Sequence, residues 1–322
     1  MIRHLSRALA LAFALGTTGA AAQEFPSRAV RIVVPWPPSG NVDITARTIA
    51  PALADALGQQ VIVENRPGAG GTIGSTAVVK SPADGYTLLL GSSGTVTVAP
   101  AVFKTIAYDP LRDLTTVGAI QFVPLVLSAA TKTPVASFAE FVAYSRAKPG
   151  QVSIASAGNG SSNHLAIELL MRQANLQLVH VPYKGSGPAI TDLLGNQVET
   201  MMDQLNASIG HIREGRMKAL AVTSRGRSPS LPGVPTLDEL GVTGYEASTF
   251  TGLFGPAGIP PAVVDKLYGA LRKALANDGV RERFRSMGVD IADMSQAEFA
   301  AYVRTDFEKW RTVAREANIV VE

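Results

Sequence analysis

One local design recurs along this chain and limits how it can fold: an apolar strand leads through a loop rich in glycine, proline and serine into a helical pattern. Four stretches have this form, at residues 33–43, 61–72, 88–95 and 154–163. A helix start leaves backbone N–H groups unpaired and carries a partial positive charge, so a loop that exposes it can bind an anion. Strands that alternate with helices are typical of βαβ units and a mainly parallel sheet.

Length and composition restrict the class of protein. With 322 residues, of which 46% are hydrophobic and 17% charged, the chain is long enough for two ordered lobes. Without Arg3 and Arg7 of the N-terminal segment, 27 basic residues stand against 26 acidic ones. This nearly neutral balance indicates neither a nucleic-acid-binding surface nor a membrane-binding one.

Residues 1–22 predict a cleavable secretory signal peptide. Basic residues precede the apolar run 8–15, and the small residues 19–22 provide a cleavage site. The run is too short to span a bilayer. The sequence has no cysteine, so an exported fold relies on its core rather than on disulfides. We expect a periplasmic, monomeric protein whose mature chain is not inserted in the membrane.

The predicted fold class is α/β with two lobes, each a mainly parallel sheet flanked by helices, joined by two crossing strands. We expect the first lobe at residues 23–122 and 248–322 and the second at residues 123–247. The helical patterns after residue 260 are expected to return and cover the first lobe.

The first predicted helix has an apolar face that is expected to pack on the sheet. This face consists of Val42, Ala46, Ile49, Leu53 and Leu57. On the same helix Asp43 and Arg47 are four residues apart, which favours a surface ion pair.

The glycine-rich loops predict the ligand site, because ligands of open parallel sheets bind outside the carboxyl ends of the strands. Short donor side chains there can hydrogen-bond a carboxylate, and several must converge to offset its desolvation. Candidates from the second pair of loops are Ser92, Ser93, Ser156 and Asn159. Asp203 ends a later strand and is expected to orient loop N–H groups, cap the next helix, or contact a ligand ammonium.

Motifs for other chemistries are incomplete. The glycines of residues 68–74 have the wrong spacing for a dinucleotide fingerprint, and no Walker A lysine pattern occurs. The histidines after the signal lack close metal spacing, so we expect no cofactor and no metal. An exported hydrolase that uses Ser93 or Ser162 remains an alternative, and it requires a histidine within hydrogen-bond reach.

Several blocks together closely resemble the Bug (TctC-like) solute-binding proteins of tripartite tricarboxylate transporters. The resemblance covers essentially the whole mature chain, and its main blocks are residues 35–44, 64–71, 84–89, 155–164, 180–185 and 220–224. It implies a two-lobed, type II-like periplasmic binding protein without enzyme activity. Such a receptor closes on a small mono- or dicarboxylate and delivers it to a membrane permease, or alternatively docks on a sensor kinase.

The resemblance also implies which residues hold the carboxylate through backbone N–H groups, hydroxyls and bridging waters. Carried over to this chain they are Trp36, Pro38, Ser39, Gly40, Asn41, Gly70, Gly71, Thr72, Ser161, Ser162, Asn163 and Asp203. This chain departs from the family where Ser39 replaces a glycine and Asn41-Val42 replace a small residue and a threonine, so the identity of the ligand stays open. Trp36 and Phe122 are candidates for apolar contact with an aromatic acid.

Overall fold

The computed structural model describes residues 25–321, and the predicted signal peptide lies outside them. The strands are β1 Val30–Val34, β2 Val61–Asn65, β3 Thr87–Ser92, β4 Leu114–Ala130, β5 Ser153–Ser156, β6 Val179–Pro182, β7 Thr200–Gln204, β8 Met217–Val222, β9 Ser248–Pro256 and β10 Asp290–Ile291. The helices are α1 Asn41–Leu57, α2 Thr72–Val79, α3 Ala99–Val102, α4 Pro110–Asp113, α5 Phe138–Ala147, α6 Ser162–Gln173, α7 Ser186–Leu194, α8 Leu205–Arg213, α9 Pro261–Ala276, α10 Asp278–Ser286 and α11 Gln296–Glu316.

The first lobe is built on a sheet in which β1 lies parallel to β2 on one side and to β3 on the other. The returning strand β9 pairs antiparallel with β3 and with the first part of β4. Strand β1 is almost wholly buried, as expected for a strand covered on both faces. The carboxyl ends of β1, β2 and β3 therefore meet at one edge of this sheet.

The second lobe repeats this arrangement, with β5 parallel to β6 and to β7. Strand β4 belongs to both sheets: its residues up to Pro124 pair with β9, and from Leu125 onward they pair with β7 and β8. The chain crosses back through residues 223–247, anchored where the N–H of Thr223 donates to the carbonyl of Leu125 at 3.0 Å. The predicted two-lobed α/β architecture is confirmed, whereas the residue boundaries of the lobes stay a prediction.

Helix α1 packs on the first sheet through the apolar face that the sequence predicts. Its five predicted residues are at most 7% exposed, and they share a core with β1 and with α9. The burial of this face is confirmed, and it fixes the start of α1 at the end of β1. None of the helices within residues 25–321 is long and apolar enough to cross a membrane.

Helix α11 packs on both lobes. Its first half places Phe299 and Val303 against β9 in the first lobe. Its second half places Trp310 and Val313 in the core of the second lobe, beside Leu127 of β4. The sequence predicts contact with the first lobe alone, because a helical period shows which face is apolar but not what that face covers.

We expect Trp310→Ala to destabilise the chain by about 3–5 kcal/mol, because Trp310 is 1% exposed and its removal leaves a large cavity. Urea denaturation of the mature protein measures this change. Arg304→Ala, on the exposed face of the same helix, is the control and should change stability by less than about 0.5 kcal/mol. Equal effects of the two variants would contradict the packing of α11 on the second lobe.

Candidate functional site

A cleft of about 330 Å³ lies between the two lobes, at the carboxyl ends of their parallel strands. The first wall consists of Trp36–Val42, Ile44, Ser92, Gly94, Thr249 and Phe250. The second wall consists of Ala157, Ser161–Asn163, Lys184–Pro188, Ile190, Gln204, Asn206 and Ala207. Loops from both lobes therefore line one cavity, as expected for the ligand site of a parallel α/β sheet.

The lining of this cleft favours negative charge. Of the described residues that line it, none is acidic, and Lys184 is the single cation. Helices α1, α7 and α8 begin at the cleft, and no side chain within residues 25–321 caps their starts. Side chains cap α4, α5, α10 and α11, which begin elsewhere. The start of α6, which also lies at the cleft, is capped by Ser161, and α2, α3 and α9 begin outside the cleft without a side-chain cap. Unpaired N–H groups and the positive ends of three helices therefore face the cleft.

The loop before α1 is held in place by a buried carboxylate. Asp43 is 2% exposed and accepts hydrogen bonds from the N–H of Ser39, from Arg47 and from Asn65, at 2.9–3.0 Å. Burial alone would raise the pKa of Asp43, but these donors together hold that pKa below its ordinary value. The predicted ion pair with Arg47 is present at 3.0 Å, but Asp43 is buried rather than on the surface. Its carboxylate also accepts from the N–H of Ser39 and so fixes the loop.

Trp36 gives the first wall an apolar surface. Its indole N–H donates to the Ser92 hydroxyl at 3.2 Å. A side chain at Gly94 would approach the indole ring to 3.0 Å, so a glycine there leaves room for it. Phe250 of β9 also lines the cleft. Phe122, the other predicted aromatic contact, is not part of the lining and packs instead edge-to-face on Tyr302 at 4.9 Å.

Asp203 lies behind the second wall rather than in it. The residue is 1% exposed and accepts hydrogen bonds from the Asn163 amide at 3.0 Å and the Ser186 hydroxyl at 2.6 Å. The Asn163 amide also donates to the carbonyl of Met202. Burial raises the pKa of Asp203 to about 6. Asp203 therefore positions two polar residues of the lining.

The structure brings part of the predicted site together. The predicted residues that line the cleft are Trp36, Pro38, Ser39, Gly40, Asn41, Ser92, Ser161, Ser162 and Asn163. Those that lie outside its lining are Gly70, Gly71, Thr72, Ser93, Ser156, Asn159 and Asp203. Contact of any of them with a ligand stays a prediction.

Several of the predicted residues outside the lining contact other parts of the protein. Gly71 lies so close to Thr95 that an added Cβ would approach its methyl group to 2.4 Å. The Ser93 hydroxyl accepts from the N–H of Phe250 at 2.9 Å, and Asn159 is exposed. Phe103 packs similarly over Gly70. The loop of residues 68–72 thus supports the first wall from the side.

Sequence reasoning missed several lining residues of the second wall. Ser186 and Gly187 begin α7, and Asn206 and Ala207 begin α8. Helix α8 follows β7 directly, and α7 follows β6 after the short loop 183–185, which contains Gly185. The same strand-to-helix signal therefore marks both helices. Thr249 carries no comparable signal, because it belongs to a strand that returns to the first lobe.

A serine–histidine pair exists in the second lobe, but not in the cleft. The Ser156 hydroxyl lies 2.6 Å from Nε2 of His180, and Ser156 is fully buried. The His180 ring stacks on His164 with centroids 4.0 Å apart. Burial, with a contribution from His164, lowers the pKa of His180 to about 4, which makes it a weak base. Within residues 25–321, no group of three or more potential ligand side chains can hold a metal ion.

The raised pKa of Asp203 predicts a pH-dependent stability. Its carboxyl group stays protonated to about pH 6 in the folded protein, whereas the ordinary pKa of an aspartate is 3.8. The protonated carboxyl group therefore contributes fully to stability below about pH 4, and this contribution is lost as the pH rises through 6. Relative to Asp203→Asn, the wild type should therefore lose about 3 kcal/mol of unfolding free energy over this range. Urea denaturation at several pH values measures the difference. Asp55→Asn, on the exposed side of α1, is the control, and a constant difference for Asp203→Asn would contradict the assignment.

Comparison with known proteins agrees with this architecture. The sequence profile of the tripartite tricarboxylate transporter family receptor, TctC, matches residues 45–319. BugT of Bordetella pertussis is 37% identical over 319 residues, which cover 97% of this chain and 98% of BugT. BugT therefore matches this chain along nearly its whole length.

Two solved structures have the same fold. An R. palustris protein with adipate is 34% identical, with a TM-score of 0.87 over 92% of this chain and 99% of its own. MatC from Rhodopseudomonas palustris with bound malate is 35% identical, with a TM-score of 0.84 over 90% of this chain and 99% of its own. The resemblance seen in the sequence is confirmed, and the chain belongs to the TctC family of tripartite tricarboxylate transporter receptors.

Proposed function

We propose that this chain is a periplasmic receptor that captures a small organic carboxylate in its cleft and delivers it to the permease of a tripartite tricarboxylate transporter. One observation carries the proposal: three helix starts without side-chain caps face a cleft whose described lining has no acidic side chain. Such a lining attracts an anion and offers it backbone N–H donors from both lobes.

Three helix starts are needed because a carboxylate loses its water on entering the cleft. One helix N-terminus stabilises an anion by roughly 0.3–1 kcal/mol, or about 2 kcal/mol where it is partly buried. Removing a charged group from water costs more than one such contribution. Helices α1, α7 and α8 together, with the ammonium of Lys184 and the hydroxyl of Ser162, supply the remainder.

The size of the cleft supports a small ligand. About 330 Å³ lies at the lower end of the range that is typical of small-molecule sites. Two related proteins were solved with small dicarboxylates, adipate and malate. Trp36 and Phe250 offer apolar surface to the carbon skeleton of the acid, so the proposal includes aliphatic and aromatic acids.

The place of the cleft between the lobes supports capture by closure. A ligand that bonds to N–H groups of both walls holds the lobes together, and a closed form is a shape that a permease can distinguish from an open one. Together with the predicted signal peptide, this favours a receptor that works as a monomer in the periplasm. The TctC family to which the chain belongs is a family of transporter receptors.

We expect at least one small organic acid to raise the melting temperature of the mature protein by about 5 °C at saturating concentration, because it binds only the folded form. A thermal-shift screen of mono- and dicarboxylates measures this effect. The amides of the same acids are the matched controls and should give no shift. A screen in which no acid stabilises the protein, or in which acids and amides act alike, would contradict carboxylate capture.

A negative charge placed at one helix start should weaken carboxylate binding without harming the fold. Ala207→Asp introduces an acidic side chain in the first turn of α8, where it favours the helix but repels a bound anion. We expect a loss of affinity of at least about tenfold, measured by isothermal titration with the best acid of the screen. Ala207→Asn introduces a side chain of the same size without the charge. This variant should bind the acid more tightly than Ala207→Asp. Equal affinities of the two variants would show that the ligand does not lie at this helix start.

A further inference from the structure

Three amide side chains meet where the two walls touch. Asn206 of the second wall donates through its Nδ2 to Oδ1 of Asn41 in the first wall. Gln121 of β4 donates through its Nε2 to the same oxygen at 3.0 Å. Asn41 and Asn206 both line the cleft, and Gln121 lies fully buried beside Asn41. We call these three residues the amide cluster.

Two of the three amide oxygens in the amide cluster have no hydrogen-bond partner within the described chain. Both donors use the oxygen of Asn41, and the Nε2 of Gln121 is also within reach of the hydroxyls of Thr45 and Thr251, at 2.8 and 3.3 Å. The remaining oxygens, Oδ1 of Asn206 and Oε1 of Gln121, are buried and have no hydrogen-bond partner within the described chain. Buried amide oxygens are nearly always paired. The oxygens of Asn206 and Gln121 therefore each call for a hydrogen-bond donor from outside the described chain.

The unpaired oxygen of Asn206 differs from most polar groups that line the cleft. The lining otherwise presents donors: helix-start N–H groups, serine hydroxyls and the ammonium of Lys184. A plain carboxylate satisfies those donors and leaves Oδ1 of Asn206 unpaired. A ligand that carries a hydrogen-bond donor beside its carboxylate satisfies both.

An organic acid can carry a hydroxyl group or an ammonium group as the donor beside its carboxylate. The hydroxyl group fits this cleft better. An ammonium in a cleft needs a neighbouring carboxylate to offset its desolvation. None of the described lining residues is acidic, and Lys184 adds a like charge. Asp203 lies behind the wall, where Asn163 and Ser186 already donate to it. A neutral hydroxyl can donate to an amide oxygen without this cost.

We propose that Asn206, supported by Asn41 and Gln121, selects hydroxycarboxylates over carboxylates that lack the hydroxyl. The proposal rests on the proposed carboxylate capture and narrows its ligand class. Asn206 accepts the hydroxyl hydrogen, while the carboxylate lies at the helix starts.

Matched acids test this selection. Isothermal titration compares propionate, lactate and alanine, then succinate, malate and aspartate, then glutarate, 2-hydroxyglutarate and glutamate. We expect the tightest hydroxy acid to bind at least about tenfold more tightly than its partner without the hydroxyl, because the site otherwise keeps an unpaired acceptor. An amino acid that binds more tightly than its hydroxy counterpart would overturn the choice of donor.

Variants of Asn206 separate selection from a structural role. Asn206→Leu has a similar size but no acceptor, and it should reduce the hydroxyl preference to less than about threefold. Asn206→Asp adds a negative charge and should shift the preference towards the amino acid of each series. Gln173→Leu is the control: Gln173 is exposed at the C-terminal end of α6 and does not line the cleft, so this change should leave the preference ratio unaltered. Melting temperatures check that each variant is folded.

The possible failures are distinguishable. If carboxylates bind but the wild type shows no hydroxyl preference, or if Asn206→Leu keeps it, this inference is overturned and carboxylate capture stands. If no carboxylate binds, carboxylate capture is overturned and the selection falls with it.

Discussion

The cleft depends on backbone N–H groups that the protein leaves unpaired. Helices α1, α7 and α8 begin at the cleft without a side-chain cap, whereas α4, α5 and α10 are capped by aspartate, serine or asparagine. The N-cap residues of α1 and α7 are Gly40 and Gly185, and a glycine in place of a capping side chain costs only about a few tenths of a kcal/mol of helix stability. Three uncapped starts lie at one cavity and come from both lobes. Their free backbone N–H groups can bind an anion.

Buried carboxylates shape this surface without facing it. Asp43 holds the loop before α1, and Asp203 holds Asn163 and Ser186 in the second wall. In both cases the negative charge is surrounded by hydrogen-bond donors and kept out of the lining. The cleft therefore has positioned polar groups and still presents no acidic side chain to its ligand.

Local sequence patterns predict the fold and the first wall well. The apolar period of α1 and the strand-to-helix loops at Trp36 and Ser161 depend on neighbours in sequence, so they can be read directly. The spacing of Asp43 and Arg47 predicts their ion pair, which is present, but it does not show that Asp43 is buried. Its burial arises when the preceding loop folds back and Ser39 takes a positive φ of 68°, which is a tertiary effect. Asn206 follows β7 at the start of α8 and therefore carries the strand-to-helix signal, whereas Phe250 lies on the strand that returns to the first lobe, which no local pattern records.

The central claim is that backbone amides of both lobes hold a carboxylate, and a structure of the mature protein with its bound acid tests it most directly. The account predicts carboxylate oxygens within about 2.7–3.2 Å of backbone nitrogens at the starts of α1 and of α7 or α8. An acid bound outside the cleft, or held by the Lys184 side chain without any backbone N–H, would contradict it.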